Sequence, residues 1–252
     1  MARFVVAMCA AGALGLAAAA QTPASDPAIA IVDQAVDAAV ARDEPDQRWA
    51  FTRTITFNGD TFSARYDPSR PAGEEWVLLA PASEGALSEE LAGVLESLRM
   101  EPVSDQLIMV GEPGENYGVR LYVDEGLALS TESSTQKRYV FQPRDNVGLM
   151  FPPLGGGLQG AEHLNGELLI TTSEPTLASL RIYASEPFKP NPAARVDTVD
   201  ILWRFGEVAP GGPIAILESD TMIAGKALFR GFSTESVVVN SDFERVAAAA
   251  DD

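Results

Sequence analysis

The chain has 252 residues and carries 36 acidic against 18 basic side chains, a formal net charge of −18 at pH 7. Nucleic acids and anionic headgroup surfaces attract proteins through clusters of lysine and arginine. No window of this sequence is basic, so both kinds of partner are disfavoured. Cys9 is the only cysteine, and it lies in a segment that we expect to be removed, which excludes disulfides, thiol catalysis and cysteine metal sites.

The first twenty residues have the pattern of a secretory signal peptide. Arg3 supplies the positive n-region, and the run of apolar and small residues from Phe4 to Leu16 follows it. This run is shorter than the roughly 20 residues that a membrane-spanning helix needs. Small residues before Gln21 suit cleavage at that point, so we expect residues 1–20 to be a signal peptide and the protein to be exported to the periplasm.

The remainder of the chain has the length of one domain. No internal repeat or long low-complexity linker divides it, and no later segment is long and apolar enough to cross a membrane. We therefore expect residues 21–246 to form a single β-rich domain and residues 247–252 to be a disordered tail. The protein is expected to be soluble and not integral to a membrane.

The first predicted element is an amphipathic helix. Asp26 has the character of an N-cap, and Pro27 suits the first helical position. The apolar stripe consists of Ile29, Val32, Val36 and Val40. The helix should end near Arg42 and pack its stripe on another element.

A β-hairpin follows, centred on Asn58-Gly59, the dipeptide best suited to a two-residue turn with positive φ. The predicted cross-strand pairs are Phe57 with Asp60, Ile55 with Phe62, Arg53 with Ala64, and Phe51 with Tyr66. Alternation then gives one apolar face consisting of Trp49, Phe51, Arg53, Ile55, Phe57, Phe62, Ala64 and Tyr66. The opposite face is rich in threonine and serine.

Arg53 is the one charged residue on that apolar face. An arginine there costs several kcal/mol unless carboxylates or carbonyls accept its hydrogen bonds. The sequence leaves three arrangements open: a position near the sheet edge, a side chain that reaches out to water, or burial with partners. A binding role is a further hypothesis.

The rest of the chain reads mainly as strands. After a strand in "EEWVLLA" comes a second amphipathic helix in "LSEELAGVLESLRM", which begins at Ser88. Further strands are predicted at Gln106–Val110, Val119–Val123, Leu127–Thr131, Arg138–Gln142, Glu167–Thr172, Leu177–Ala184, Val196–Val208, Ile214–Ser219, Thr221–Phe232 and Val237–Phe243. Turn clusters such as "KPNPA" and a Pro- and Gly-rich loop at Phe151–Gly160 separate them.

These elements predict an α+β fold that is mostly antiparallel β. Roughly ten strands do not form a flat sheet without curling or splitting. Two helices have too few apolar stripes to cover both faces. The expected architecture is a strongly curved sheet, a half-barrel or open barrel, with two short helices packed on or in it.

The sequence offers little for catalysis. His163 is the only histidine and stands in a predicted loop, without a GxSxG motif to supply a nucleophile. Adjacent acidic pairs such as Glu74-Glu75 point in different directions, which does not suit two-carboxylate chemistry. The glycine-rich segments do not open a helix after a strand. We expect no catalytic residues, no cofactor and no metal site, and hence a protein that is not an enzyme.

One short motif gives a family resemblance. In "RPAGEEW", Arg70-Pro71 is followed by Trp76, which resembles the Arg-Pro-x4-Trp motif of the LolA-type periplasmic lipoprotein carriers. The resemblance implies an unclosed barrel with helices over a hydrophobic cleft, and a lid-holding role for Arg70. The longer segment "ARYDPSRPAGEEWVLLAPASEG" more closely resembles a group of uncharacterised exported proteobacterial proteins, from which no activity carries over.

Two functional hypotheses follow, beside a third, a hydrolase that would depend on His163. In the first, the concave face binds or carries a lipid, an acyl chain or another hydrophobic small molecule, in envelope maintenance. The residues predicted to line the site are Trp49, Phe51, Arg53, Ile55, Phe62, Tyr66, Arg70 and Trp203. In the second, the helices fill the sheet themselves, and the protein is a structural or interaction protein that contacts another envelope protein.

Overall fold

The computed structural model describes residues 27–42, 48–71, 73–81, 123, 126–143, 150–151, 156–157, 161–228 and 230–246. Several predictions lie outside these ranges: the signal peptide, the second helix, the strand at Gln106–Val110, all but the last residue of Val119–Val123, and the C-terminal tail. They stay predictions.

The described elements are one α-helix and thirteen strands. In chain order they are α1 (Pro27–Val40), β1 (Arg48–Phe57), β2 (Asp60–Tyr66), β3 (Trp76–Pro81), β4 (Ala128–Glu132), β5 (Gln136–Phe141), β6 (Met150–Phe151), β7 (Gly156–Gly157), β8 (Leu164–Thr171), β9 (Leu177–Ala184), β10 (Phe188–Asn191), β11 (Ala194–Glu207), β12 (Ile214–Ala227) and β13 (Arg230–Val246). A single 3-10 turn, Ala161–His163, precedes β8. Within the described ranges, no helix has the length and hydropathy that a bilayer crossing requires.

Eleven of the described strands form one antiparallel sheet in the order β3-β2-β1-β13-β12-β11-β9-β8-β5-β4, with β10 on β11. The terminal strands of this order, β3 and β4, are not paired with each other, so the sheet is not closed. The small β6-β7 ribbon lies in the region predicted as a loop. The mostly antiparallel fold is therefore confirmed, as is the first of the two predicted helices, while strong curvature stays a prediction.

The β1-β2 hairpin has the predicted register. Phe51 pairs with Tyr66, Arg53 with Ala64, Ile55 with Phe62, and Phe57 with Asp60. Asn58 and Gly59 both have positive φ, 50° and 93°. The Asn58 side chain also accepts a hydrogen bond of 3.0 Å from the backbone N–H of Glu235, which ties the turn to β13.

The C-terminal strand boundaries differ from the prediction. Instead of strands Ile214–Ser219, Thr221–Phe232 and Val237–Phe243, the chain forms two long strands, β12 and β13. Their turn contains Leu228, which has a φ of 46°. Leucine is not a turn-forming residue, so this turn has no sequence signal. The cluster "KPNPA" contains the predicted turn, at Pro192-Ala193, but its first three residues belong to β10, which pairs with β11.

One face of the sheet carries two separate apolar clusters. The first, the helix-covered cluster, joins Val32, Ala35, Val36 and Ala39 of α1 to buried residues that include Tyr139, Phe141, Leu164, Leu168, Ile170, Leu177, Leu180, Ile182, Val196, Val199, Ile201, Phe205, Ile214 and Ile216. The second, the aromatic cluster, consists of Phe51, Ile55, Phe62, Ala64, Trp76 and Ala215, with Phe57, Tyr66, Leu78, Val208, Val238 and Phe243 packed against it.

The opposite face carries charged pairs together with exposed apolar residues such as Met222 and Val239. On it, Arg181 binds Asp200 through two hydrogen bonds of 2.7 Å, and Arg204 contacts both Glu218 and Asp220 at 2.7 Å. These are cross-strand neighbours on three adjacent strands, and the pairs are partly exposed. Within β11, Val199, Ile201 and Phe205 are buried, whereas Thr198, Asp200 and Arg204, which alternate with them, are more exposed.

Candidate ligand-binding site

The aromatic cluster is built from one row of residues across three strands. In the sheet register Phe51 of β1 pairs with Tyr66 of β2, which pairs with Trp76 of β3. The ring centroids lie 5.4 Å apart for Phe51 and Tyr66 and 5.2 Å apart for Tyr66 and Trp76. The Trp76 ring meets Phe51 edge-on at 5.6 Å. These separations are typical of favourable aromatic pairs.

A β-bulge in β13 adds a fourth ring. Ala50 pairs with Glu244 but Thr52 pairs with Ser241, so two residues of β13 stand opposite Phe51. The irregularity changes the alternation of β13, and Phe243 stacks on Phe51 at 5.6 Å. Arg65 holds the bulge from the other face by donating to the carbonyl of Asp242 at 2.7 Å.

Arg53 lies inside this cluster and is buried, with only 4% of its surface exposed. Its Nε donates a 2.8 Å hydrogen bond to Oδ1 of Asn240, its cross-strand neighbour on β13. The Nδ2 of Asn240, itself 5% exposed, donates to the carbonyl of Ile216 at 2.8 Å. Of the three arrangements that the sequence left open, the structure therefore shows burial with partners.

The guanidinium of Arg53 also faces two aromatic rings. Its Cζ lies 5.4 Å from the centroid of Phe51 and 5.4 Å from that of Trp76. Each such cation–π contact stabilises a desolvated cation by about 2 kcal/mol. Together with the hydrogen bond to Asn240, the two rings help to offset the several kcal/mol that removing an ion from water costs.

Two tryptophan side chains at the same end of the sheet have buried N–H groups without an acceptor. They are Trp49 of β1 and Trp76 of β3, whose Nε1 atoms form no hydrogen bond. The indole nitrogen only donates, and a buried donor without an acceptor costs about 1–3 kcal/mol. Trp76 is 6% exposed, so water does not compensate. Both groups would be satisfied by a ligand with an acceptor oxygen.

Arg53 carries the positive charge of the cluster at neutral pH. Burial, with a smaller contribution from Glu75, raises the pKa of the Tyr66 phenol above its ordinary value. The phenol therefore stays protonated and neutral well beyond physiological pH. The described cluster thus offers aromatic surface, a cation and N–H donors to a ligand.

The structure brings most of the predicted site residues together. Phe51, Ile55, Phe62 and Tyr66 belong to the aromatic cluster and surround Arg53. Trp49 lies on the same strand, with its indole N–H buried. Trp203 does not join them, because it packs against the helix-covered cluster, between Leu180 and Ser219 in the register.

Arg70 is exposed in the turn between β2 and β3. Its Nε donates to the carbonyl of Glu74 at 2.8 Å, and the Glu74 carboxylate lies 4.0 Å away. Its described contacts thus close the turn that leads into β3. The lid-holding role that the family resemblance implies stays a prediction, since the second helix lies outside the described residues.

Sequence reasoning did not assign Trp76, Asn240 or Phe243 to the site. Trp76 was noted only as part of the Arg-Pro-x4-Trp motif. The β2-β3 register would have placed it beside Tyr66. Asn240 interrupts the apolar run "VVVN", which is a usable signal for a buried amide on a strand. Phe243 had no signal, because alternation without the bulge points its side chain to the other face.

The residues weighed for catalysis lie elsewhere. His163 is partly exposed and stacks on Phe188 at 4.8 Å, with Glu162 at 3.7 Å. In the described portion of the chain, no group of three or more histidine, cysteine, aspartate or glutamate side chains is arranged to hold a metal ion.

Comparison with known proteins gives one weak structural resemblance. No protein-family model and no curated protein matches the sequence. Among solved structures, the chain is similar to the LolA superfamily protein NE2245 from Nitrosomonas europaea, with 12% sequence identity, 89% of this chain and 94% of that chain covered, and a TM-score of 0.29. This resemblance of fold is too coarse to align individual side chains.

Proposed function

We propose that this protein is an exported, periplasmic, non-enzymatic protein that binds an amphiphile with an acyl chain at the aromatic cluster. The apolar part of the ligand packs on the rings of β1, β2 and β3, and an acceptor oxygen of its polar end takes hydrogen bonds from the buried donors. The observation that carries the proposal is the buried Arg53 beside the acceptor-free indole N–H of Trp76.

The cost of these groups supports a ligand role. A core of this size is stable without a buried cation, and replacing buried ions by apolar residues often leaves a protein equally or more stable. The helix-covered cluster illustrates this, because its buried members are apolar or aromatic. The acceptor-free N–H of Trp76, beside the buried Arg53, is a further cost that apolar packing does not explain, and an acceptor oxygen of a ligand would remove it.

The absence of suitable proton-transfer groups in the described cluster supports a binding protein over an enzyme. Arg53 keeps its proton at any physiological pH, and the pKa of Tyr66 is raised. Neither group exchanges a proton readily near neutral pH.

A second candidate is an interaction protein whose core is complete without a ligand. The favouring observation is the continuous hydrogen-bonded chain from Arg53 through Asn240 to the carbonyl of Ile216. In this case the polar groups specify the β1-β13 register, and no cleft opens.

The two candidates are separated by binding of a fluorescent fatty acid and of its methyl ester. The first proposal predicts that the free acid binds and that the ester binds on the order of tenfold more weakly, since it lacks the charge that Arg53 pairs with. The matched substitutions are Trp76→Phe and Trp203→Phe, one in each cluster. Trp76→Phe should weaken binding, and Trp203→Phe should not.

The outcome against the proposal is equally definite. If the purified protein binds neither probe, and native mass spectrometry of material from its own host shows no bound lipid, the self-filled interaction protein is the better description. Equal effects of Trp76→Phe and Trp203→Phe on binding would place the ligand outside the aromatic cluster.

A further inference from the structure

The turn between β12 and β13 exposes a large apolar side chain. Ala227 pairs with Arg230, which leaves a two-residue turn whose first residue is Leu228. Leu228 is 73% exposed, the most exposed large apolar side chain in the described part of the chain. Its φ of 46° is in the left-handed region, and its N–H donates to the carbonyl of Ala193 at 3.0 Å. The leucine is thus held at the surface in a conformation that leucine disfavours.

The two-residue turn of the β1-β2 hairpin shows which residue types favour such a turn. The β1-β2 turn uses Asn58 and Gly59, both with positive φ, and these residue types adopt that conformation at low cost. Leu228 has the same positive φ, but leucine is not a residue type that adopts it at low cost. An exposed apolar side chain and a positive φ are both unfavourable for a leucine in water. The turn is therefore better suited to contact with an apolar phase than with water alone.

Cations from four different strands surround this leucine. Lys189 of β10, Arg195 of β11 and Lys226 of β12 line an open groove together with Leu228, and Arg230 begins β13 directly after the turn. Arg195 and Lys226 stand directly opposite each other in the sheet register, an arrangement of like charges that destabilises a strand pair. We call Lys189, Arg195, Lys226, Leu228 and Arg230 the basic tip.

Few carboxylates offset the basic tip. Among the residues that the structure describes, Asp197 is the only one whose carboxylate pairs with any of these cations, through Arg195 at 2.6 Å. Glu186 lies beside Lys189 and Arg195 at a neighbouring groove. The basic tip is therefore locally positive in a chain whose net charge is −18.

We propose that the basic tip docks this protein on an anionic lipid bilayer. The cations lie at the headgroups and Leu228 inserts among the upper acyl segments, the arrangement that favours interfacial binding. At physiological ionic strength charges beyond about 8 Å are largely screened, so the acidic remainder of the protein does not cancel the attraction. An acidic protein surface would match the charges but gives no environment for the leucine.

This surface revises the expectation drawn from net charge. The sequence predicted that anionic headgroups are disfavoured, because no window is basic. The cations are brought together only by the pairing of β10, β11, β12 and β13. The proposal is independent of ligand binding at the aromatic cluster.

The test is sedimentation of the mature protein with vesicles. One set contains phosphatidylcholine alone, and the other contains about a third phosphatidylglycerol, at roughly 0.1 M salt. We expect binding to the anionic vesicles only, weakened by added salt. The double variant Lys189→Gln/Lys226→Gln should bind on the order of tenfold or more weakly, since each cation contributes roughly fivefold.

Matched controls separate the tip from general charge and hydrophobicity. Lys137→Gln/Arg138→Gln removes two cations from β5 and should leave vesicle binding unchanged. Leu228→Asn should weaken binding roughly tenfold, whereas Leu129→Asn, at another exposed leucine, should not. Asparagine suits the left-handed conformation, so the Leu228→Asn variant should fold, and its thermal midpoint should be equal to or above that of the parent.

Three results would overturn the proposal. They are no sedimentation with anionic vesicles, equal losses in the tip and control variants, and binding to polyglutamate in the absence of vesicle binding. The last result would assign the basic tip to an acidic protein partner.

Discussion

The helix-covered cluster and the aromatic cluster lie on the same face of one sheet, and they differ in what their burial achieves. The first packs α1 against the central strands, and its buried members are apolar or aromatic. The second contains the buried cation of Arg53, the buried amide of Asn240 and the acceptor-free N–H of Trp76. Burial of apolar surface alone explains the first cluster, but it does not explain the second.

The difference indicates that the two clusters have different roles, one in stability and the other in binding. Leu168, Leu180 and Ile182 are fully buried and supply the stability that a sheet of this size needs. The aromatic cluster retains polar groups at a cost that this stability offsets. Truncations in the first region should therefore lower the unfolding free energy most, and substitutions in the second should lower it less and also change ligand binding.

Leu180→Ala should give the largest loss of stability. The side chain is 0% exposed, and truncating a buried leucine costs about 2–5 kcal/mol of unfolding free energy. Urea unfolding followed by tryptophan fluorescence measures this directly. Fatty-acid affinity of the folded protein should be unchanged, and a change in affinity would show that the two clusters are not separate.

Asn240→Ala should have the next largest effect. It removes the acceptor of Arg53 Nε and the donor to Ile216, and unsatisfied buried groups cost about 1–3 kcal/mol. Asn165→Ala is the control. The hydrogen bond from its side-chain amide to Ser185 is exposed, and surface substitutions change stability by no more than about 0.5 kcal/mol. Equal losses for the two variants would mean that the buried chain of hydrogen bonds contributes nothing.

The smallest effect should be the alkaline dependence of stability. Burial raises the pKa of Tyr66 in the aromatic cluster and of Tyr139 in the helix-covered cluster. The folded state then holds protons that the unfolded state releases above about pH 10, so this stability is complete at lower pH and is lost as the pH rises further. The unfolding free energy should decrease between about pH 9 and about pH 11. This decrease should be smaller in the double variant Tyr66→Phe/Tyr139→Phe than in the parent.

Local sequence signals predicted the hairpin and half of the site. Asn58-Gly59 set the turn, and alternation placed Phe51, Arg53 and Tyr66 on one face, as the register confirms. Periodicity tells which face a residue lies on, but not which strand becomes its neighbour. Trp203 was predicted to line the same site from the later strands, and in the structure it packs against the helix-covered cluster.

Features that depend on contacts between distant parts of the chain were not predicted, for physical reasons. The turn at Leu228 has no turn-forming residue, because its conformation is imposed by the long pairing of β12 with β13. The bulge that directs Phe243 inward depends on how β13 meets β1. The basic tip exists only after four strands have aligned. Each requires contacts between residues that a sequence window does not contain.

The pairing of β1 with β13 also has a consequence for how the molecule forms. Arg53 and its acceptor Asn240 are separated by 187 positions, and such long-range contacts form slowly because a large loop must close first. The hairpin carrying the arginine is complete early in synthesis, whereas its amide partner belongs to the last strand. Until β13 pairs with β1, Arg53 lacks the acceptor that Asn240 provides in the folded protein.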